Sequence, residues 1–234
     1  MQLTFSGGLT ARLPLILLPL TMSLAATMAL TGCLTGGESD ATSTGVSPKP
    51  DGVLTLFDGK TLKGWAETDF AGKGEIRVED GKLILGSGFM TGVTYTNDVF
   101  PRIDYEISLD AMRVDGTDFF CGLTFPVGER SCSFVVGGWG GGVVGLSSID
   151  GEDAANNNTT KYMNFESGRW YAIRVRVTDD RISAWIDEEQ VVDQEITNRE
   201  VSIRIEMEPC VPLGVATYST TGALRHVTMK KIGS

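Results

Sequence analysis

The feature that most constrains the fold is a series of short segments in which apolar and polar residues alternate, each ended by turn-forming residues. In the segment over residues 102–114 every second side chain from Ile103 to Leu109 is apolar, at Ile103, Tyr105, Ile107 and Leu109. Asp80-Gly81 lies between two such segments and is typical of a two-residue hairpin turn. Segments of this kind recur about every 8–12 residues from 53 to 232, including 201–205, and no window of ten residues has the spacing of an amphipathic helix. The pattern predicts an all-β antiparallel sandwich or barrel.

The charge balance limits the partners of the chain. Twenty Lys and Arg residues stand against 30 Asp and Glu, which gives a formal net charge of -10. An acidic surface does not neutralise phosphates, so we expect no nucleic-acid partner. It also argues against a protein held on anionic lipid by charge alone. The single histidine, His226, excludes a multi-histidine metal site and argues against a Ser-His-Asp triad.

The N-terminal segment predicts export. Residues 13–30 are almost wholly apolar, follow the single basic residue Arg12 and end in small residues, which is typical of a secretory signal peptide over residues 1–32. A membrane-spanning helix is the alternative, and the two prolines inside the segment argue against it. Residues 30–33 read Leu-Thr-Gly-Cys and resemble the lipobox of bacterial lipoproteins. That resemblance implies cleavage before Cys33 and lipidation of its thiol, which would anchor the chain in a membrane.

A tether is expected between the anchor and the folded domain. Residues 33–52 are rich in Gly, Ser, Thr, Pro and acidic residues and lack the apolar content to fold. The domain is then expected over residues 53–234. Leu34 stands where an aspartate would imply retention in the inner membrane, so we expect the outer membrane or cell surface of a bacterium. An ordinary signal peptide with an incidental cysteine is the alternative.

One segment carries a resemblance to a known family. Residues 56–65 read Leu-Phe-Asp-Gly-Lys-Thr-Leu-Lys-Gly-Trp and resemble the opening of the 3-keto-disaccharide hydrolase domain. Weaker agreement continues at residues 77–83, 168–171, 181–187, 212–214 and 224–227. The resemblance implies a concanavalin A-like jelly roll of two antiparallel sheets, acting on glycosides oxidised at the sugar 3-position. A ketone there acidifies the neighbouring C–H, so that a base can remove the proton and expel the glycosidic oxygen.

The chain departs from the family pattern in three places. The strand that often carries Tyr-Glu-(Val/Leu)-Gln-Ile-x-Asp corresponds to residues 132–138, which contain no carboxylate or amide. The segment that often reads Gly-Leu-Gln-Asp-His-Gly corresponds to residues 214–219, which lack the amide, acid and imidazole. Pro126 stands where an arginine is frequent. The family's groove residues are therefore largely replaced, and its catalytic residues cannot be carried over.

Several residues are candidates for binding a sugar. Trp139 lies in a run of five glycines, where an indole without bulky neighbours can serve as a stacking platform; a bulged strand with Trp139 packed inward is the alternative. Arg176 and Trp185 lie on neighbouring strands and are also candidates, with Tyr218 on a later one. Exposed cross-strand salt pairing is the alternative interpretation of the arginine positions.

Candidates for catalysis and for a cation are weaker. His226 carries the single imidazole of the chain and is a candidate base, and Arg174 and Asp187 are further catalytic candidates. An oxygen-rich loop could hold Ca²⁺ through three carboxylates, those of Asp150, Glu152 and Asp153. A solvated acidic loop is the favoured alternative, so no cofactor is expected.

The cysteines allow two interpretations. Lipidation of Cys33 leaves Cys121, Cys132 and Cys210, and an odd number leaves at least one free thiol. A Cys121–Cys132 disulfide would close a loop of about 12 residues across a predicted hairpin. Gly128 favours a different hairpin register, and the alternative is three buried thiols that pack as small apolar residues.

The sequence leaves three functions open. The first is engagement of carbohydrate, including cleavage of 3-keto-glycosides by elimination. The second is a non-catalytic carbohydrate-binding or adhesion module, and the third is a structural envelope protein. An enzyme should bring together ionisable groups with opposed pKa shifts in one cleft. A binding module should show an aromatic platform without such a pair. The oligomeric state is not indicated by the sequence.

Overall fold

A computed structural model describes residues 52–97 and 99–233 of the chain. The predicted signal peptide over 1–32, the lipidation site Cys33 and all of the tether before Gly52 lie outside the described residues. The described part contains fifteen β-strands and one short 3-10 helix. They are β1 (Val53–Thr55), β2 (Trp65–Glu67), β3 (Ile76–Glu79), β4 (Lys82–Leu85), β5 (Met90–Tyr95), β6 (Tyr105–Gly116), β7 (Cys121–Val127), β8 (Arg130–Gly138), β9 (Val143–Ser147), β10 (Lys161–Tyr162), β11 (Trp170–Val177), β12 (Arg181–Ile186), β13 (Glu189–Glu195), the 3-10 helix η1 (Ile205–Cys210), β14 (Gly214–Tyr218) and β15 (Thr220–Lys231).

The strands form two antiparallel sheets. The front sheet has the order β10-β9-β8-β7-β14-β5-β2, and the back sheet has the order β13-β12-β11-β6-β15-β4-β3 with β1 paired to β15. The chain crosses repeatedly between the sheets: β5 and β14 join the front sheet, whereas β6 and β15 join the back sheet. This arrangement confirms the prediction of an all-β, two-sheet jelly-roll sandwich.

The hydrophobic core lies between the two sheets. In β6 the predicted alternation holds, with Tyr105 and Ile107 fully buried, while Ile103 precedes the strand and is 41% exposed. Phe125 and Phe134 of the front sheet belong to the same core cluster. Each large side chain removed from water in this way stabilises the fold by about 1.5–3 kcal/mol, which is why a period of two residues can specify the sandwich.

The register of the β7–β8 hairpin shows whether Cys121 and Cys132 can form a disulfide. Cys132 pairs with Phe125, and Cys121 pairs with Val136, four residues along the ladder. The two-residue turn follows Val127, so the register is the one favoured by Gly128. The hypothesis of a Cys121–Cys132 disulfide is therefore wrong: both are free thiols buried in the core, as is Cys210 in a smaller cluster.

The described residues include no helix with the length and apolar character needed to cross a membrane.

Candidate functional site

A groove of about 360 Å³ opens on the outer face of the front sheet. Its volume lies near the lower end of the range of about 300–1,000 Å³ that is usual for ligand pockets. Its lining residues come from five strands of the front sheet, three loops and the segment around η1: Phe89, Met90, Asp118, Phe119, Gly122, Ser133, Val135, Trp139, Ser147, Arg204, Glu206, Met207 and Tyr218.

Small residues on the outer face of the front sheet make room for η1 and for the groove beside it. A Cβ atom built at Gly122 would lie 3.3 Å from the end of the Met207 side chain, so η1 packs directly on the sheet there. Met207 and Cys210 of η1 belong to a small buried cluster with Ala216 of β14. The helix therefore covers part of the face, and the uncovered part is the groove.

Aromatic side chains form the walls of the groove. The rings of Phe89 and Tyr218 meet edge to face at 5.2 Å, and those of Phe119 and Tyr218 are stacked at 6.0 Å. Phe89 is 63% exposed and Trp139 is 45% exposed, which is unusual for side chains of this size. The structure thus brings together two of the predicted sugar-binding residues, Trp139 and Tyr218, with two phenylalanines that the sequence analysis did not select.

The glycine-rich turn that carries Trp139 is held from below by Arg113. This arginine is only 6% exposed. Its Nη2 donates to the carbonyl oxygens of Gly141 at 2.9 Å, Asp118 at 3.2 Å and Gly137 at 3.3 Å. Burial lowers the pKa of Arg113 from its usual value. A single guanidinium therefore connects the loop before β7 with both ends of the turn around Trp139.

The carboxylate of Asp118 completes this support. Its Oδ1 accepts the backbone N–H of Phe119 at 2.8 Å, and its Oδ2 accepts the backbone N–H of Gly140 at 3.0 Å. Trp139 itself adopts a left-handed backbone conformation with φ of 48°. Such a conformation is strained for a non-glycine residue, so it needs fixed neighbours such as these.

An ion pair lies at the rim of the groove. Arg204 donates to Glu206 at 2.9 Å and to Asp153 at 2.8 Å. The hydrogen bond from Arg204 lowers the pKa of Glu206, and the same bond raises the pKa of Arg204. Both groups are thereby stabilised in their charged forms, which makes them a structural ion pair rather than a proton donor and acceptor.

Three hydroxyl-bearing residues are cross-strand neighbours in the front sheet, which forms the floor of the groove. Thr124, Ser133 and Ser147 pair across β7, β8 and β9, and all three are at most 1% exposed. The hydroxyls of Thr124 and Ser133 are hydrogen-bonded at 2.9 Å. In the described part of the chain the Ser147 hydroxyl has no hydrogen-bond partner.

The predicted cation loop is held together by arginines. Asp150 pairs with Arg199, and Asp153 pairs with Arg204. Glu152 is exposed and joins the loop through its backbone. Within residues 52–97 and 99–233, no group of three or more His, Cys, Asp or Glu side chains is placed to hold a metal ion. The two carboxylates act here as anchors for the loop and for the segment that leads into η1.

The predicted arginine and tryptophan candidates lie on the other side of the domain. Arg174 stacks 3.9 Å from the ring of Trp185 on the outer face of the back sheet. Glu106 accepts hydrogen bonds from Arg174 at 3.2 Å and from Arg176 at 2.8 Å. None of these side chains lines the groove, and their arrangement is the cross-strand pairing given as the alternative.

The remaining catalytic candidates are also separate from the groove. Asp187 pairs with Arg169 at 2.7 Å, beyond the end of β12. His226 lies at a bulge in β15, its side chain is 72% exposed, and its Nδ1 is 3.0 Å from Asp110. The structure therefore does not bring His226, Arg174 and Asp187 together with Trp139.

Comparison with known proteins places the fold in a family. Residues 52–230 match the model of the 3-keto-alpha-glucoside-1,2-lyase-like domain. The chain belongs to this family. The match confirms the resemblance to the 3-keto-disaccharide hydrolase domain that residues 56–65 indicate. This lyase-like domain family comprises carbohydrate-related hydrolase-like or binding domains, so a carbohydrate-active β-sandwich is the class to which the chain is assigned.

Solved structures share the fold of this lyase-like domain at low sequence identity. A candidate glycosyl hydrolase of Parabacteroides distasonis is 16% identical with a TM-score of 0.50, and the match covers 78% of this chain and 94% of that one. Domain 4 of AbnA, an extracellular arabinanase of Geobacillus stearothermophilus solved with arabinotriose, is 13% identical with a TM-score of 0.50, covering 77% and 91%. The Crh5 transglycosylase, solved with NAG, is 10% identical with a TM-score of 0.52, covering 78% and 85%. No curated protein matches the chain at a significant level.

Proposed function

We propose that this domain binds a saccharide in the groove of the front sheet and does not cleave it. The observation that carries the proposal is that the groove is lined by four aromatic side chains and by carboxylates that already accept hydrogen bonds from other groups of the protein. Sugar rings present apolar C–H faces that pack on aromatic rings, and Trp139 and Phe89 offer exposed rings for that contact. A binding module of the lyase-like domain family is the function that this arrangement supports best.

The carboxylates that line the groove are poorly suited to act as a base. Asp118 accepts the backbone N–H of Phe119 in its own loop and that of Gly140 in the turn that it supports. Glu206 is paired with Arg204, which lowers the pKa of its carboxyl group. A general base is most effective when its pKa lies near the working pH, so a carboxylate with a lowered pKa removes protons weakly.

Cleavage of 3-keto-glycosides by elimination is the second candidate function, and family membership is what favours it. Glu206 would then be the carboxylate at the rim with access to a sugar proton. This role requires Glu206 to leave its pair with Arg204 when the ligand binds. The two candidates differ in one measurable respect, because elimination releases a product and binding does not.

We further propose that the domain is displayed on the bacterial cell envelope through lipidated Cys33. The lipobox-like residues 30–33 support the anchor. Strand β1 enters the domain at Val53, which pairs with Lys230 of the back sheet.

The test is retention and turnover on defined glycans. The full chain, purified in detergent, is incubated with plain oligosaccharides and with 3-keto-glycosides, and bound ligand and released product are both measured. Retention without product supports the binding function, and release of product from a 3-keto-glycoside supports cleavage. Trp139→Ala should abolish retention, whereas Trp185→Ala, which removes a tryptophan outside the groove, should not. Absence of both retention and product, or equal effects of the two substitutions, would contradict the proposal.

A further inference from the structure

The groove has an unusual polar feature at its floor. Ser147 lines the groove, the residue is 1% exposed, and its hydroxyl oxygen has no hydrogen-bond partner in the described part of the chain. A buried hydroxyl without a partner is unfavourable, because it has lost water and gained nothing in return. A ligand group that supplies the partner therefore gains from contact with this atom.

The neighbours of Ser147 restrict what that ligand group can be. Ser133, opposite Ser147 in the ladder, already shares its hydroxyl with Thr124 at 2.9 Å. Val135 and Met207 contribute aliphatic surface to the same lining, and the charged side chains Asp118, Arg204 and Glu206 of the lining are already hydrogen-bonded within the protein. The groove thus offers one unpartnered hydroxyl together with aliphatic surface.

A plain sugar hydroxyl matches this floor poorly. It carries one donor and two acceptor positions, and the apolar surroundings would leave part of that capacity unsatisfied. An acetyl group matches it better, because its carbonyl oxygen only accepts and its methyl group is apolar. The polar and apolar parts of the floor correspond to the two ends of that group.

We propose that the groove selects saccharides that carry an acetyl group, linked through nitrogen or oxygen. The carbonyl oxygen accepts a hydrogen bond from the Ser147 hydroxyl, and the methyl group packs against Val135 and Met207. The sugar ring then lies toward the aromatic walls, with Trp139 at the edge. This inference rests on the proposed saccharide-binding function and names the ligand class for the same groove.

The first test compares matched ligands on the unaltered full chain by calorimetry. Triacetylchitotriose is compared with cellotriose, which has a hydroxyl where the former has an acetamido group, and O-acetylated xylotriose is compared with xylotriose. The acetylated member of at least one pair should bind roughly tenfold more tightly, as expected for one buried hydrogen bond. A preference in the first pair identifies an N-acetyl ligand, and one in the second pair an O-acetyl ligand. Equal affinities within both pairs would overturn the inference while leaving saccharide binding in place.

The second test assigns the preference to Ser147. Ser147→Ala should remove the preference for the acetylated ligand and leave the affinity for the plain ligand within about twofold. Ser131→Ala changes a serine of the same sheet that does not line the groove, and it should retain the preference. If Ser147→Ala weakens both ligands equally, the role of Ser147 is structural and the assignment is wrong. If the unaltered chain binds none of the four ligands, it is the saccharide-binding function itself that fails for these glycans.

Discussion

Nη2 of Arg113 donates a hydrogen bond to the carbonyl oxygen of Gly141 over 2.9 Å from an almost fully buried position. Among the described residues this guanidinium forms no ion pair, and its partners are backbone carbonyls of three separate loops. A run of glycines has many accessible conformations and loses much entropy when it is fixed. The turn around Trp139 therefore keeps its shape largely through Arg113, which acts as a positioning residue for the groove.

Replacing Arg113 should disturb both stability and the groove. Arg113→Met keeps much of the aliphatic volume but leaves several buried carbonyl groups without a donor, so we expect a loss of about 2–4 kcal/mol in the free energy of unfolding. Retention of the saccharide and the fluorescence of Trp139 should change as well. Urea denaturation and glycan retention measure the two effects. Arg176→Met, on the exposed back sheet, is the control, and equal stability of the two variants would argue against the role of Arg113.

The exposed ring of Phe89 should matter for ligand binding and not for folding. Phe89→Ala removes a side chain that is 63% exposed, so we expect a change of less than about 0.5 kcal/mol in stability and a clear loss of saccharide affinity. Phe120→Ala, at a fully buried position, should instead cost about 3–5 kcal/mol because it leaves a cavity in the core. Thermal unfolding measures the effect of each substitution on stability, and calorimetric titration measures its effect on saccharide affinity. Unchanged saccharide affinity in Phe89→Ala would show that Phe89 is not part of the binding surface.

The pair between Glu206 and Arg204 predicts a weak dependence of stability on pH. The pKa of Glu206 is lowered in the folded state from an ordinary value of 4.5, so the pair stabilises the fold above that pH. The stabilisation is lost as the pH falls through the lower folded pKa. Because the carboxylate is 48% exposed, we expect less than about 1 kcal/mol. Glu206→Gln should lower the melting temperature slightly at pH 7, and the difference from the parent should shrink as the pH falls below 4.5.

A matched control for this prediction lies on the same helix. Glu208 forms no ion pair with any residue of the described chain, so Glu208→Gln should leave the melting temperature nearly equal to that of the parent at pH 7. Melting curves of both variants between pH 3 and pH 7 provide the comparison. If both substitutions lower the melting temperature equally at neutral pH, the loss of the pair is not the cause.

The sequence predicts the sheets of this domain well and its groove only in part. Alternation identifies the faces of each strand, and Gly128 indicates the β7–β8 register, because both depend on local chemistry. Alternation over 201–205 favours a strand, whereas the chain there passes over the front sheet and enters η1, since Met207 finds space above Gly122. That space is created by residues distant in sequence. The alternation of apolar and polar residues does not indicate which of the two sheets bears the groove. The sequence therefore predicts sugar binding for Trp185 and Trp139 alike, although only Trp139 lines the groove.

The thiols provide a test of both the core and the anchor. Burial raises the pKa of Cys121 and Cys132 to about 12 and that of Cys210 to about 11, so each stays protonated and inaccessible at pH 8. Since the thiolate is the reactive form, we expect no labelling of these three cysteines in the native protein by an aromatic disulfide reagent. After denaturation three thiols should react if Cys33 carries the proposed lipid, which would block its thiol.

A different number of reactive thiols, in the native or in the denatured protein, would contradict either the buried core or the proposed anchor. Labelling of Cys121 or Cys132 in the native protein would contradict the burial of the β7–β8 hairpin. A fourth reactive thiol after denaturation would show that Cys33 carries no lipid and would contradict the anchor, without bearing on the fold. In Cys33→Ser the count should remain three while the protein leaves the membrane fraction, because the proposed anchor requires the thiol of residue 33 and the core does not.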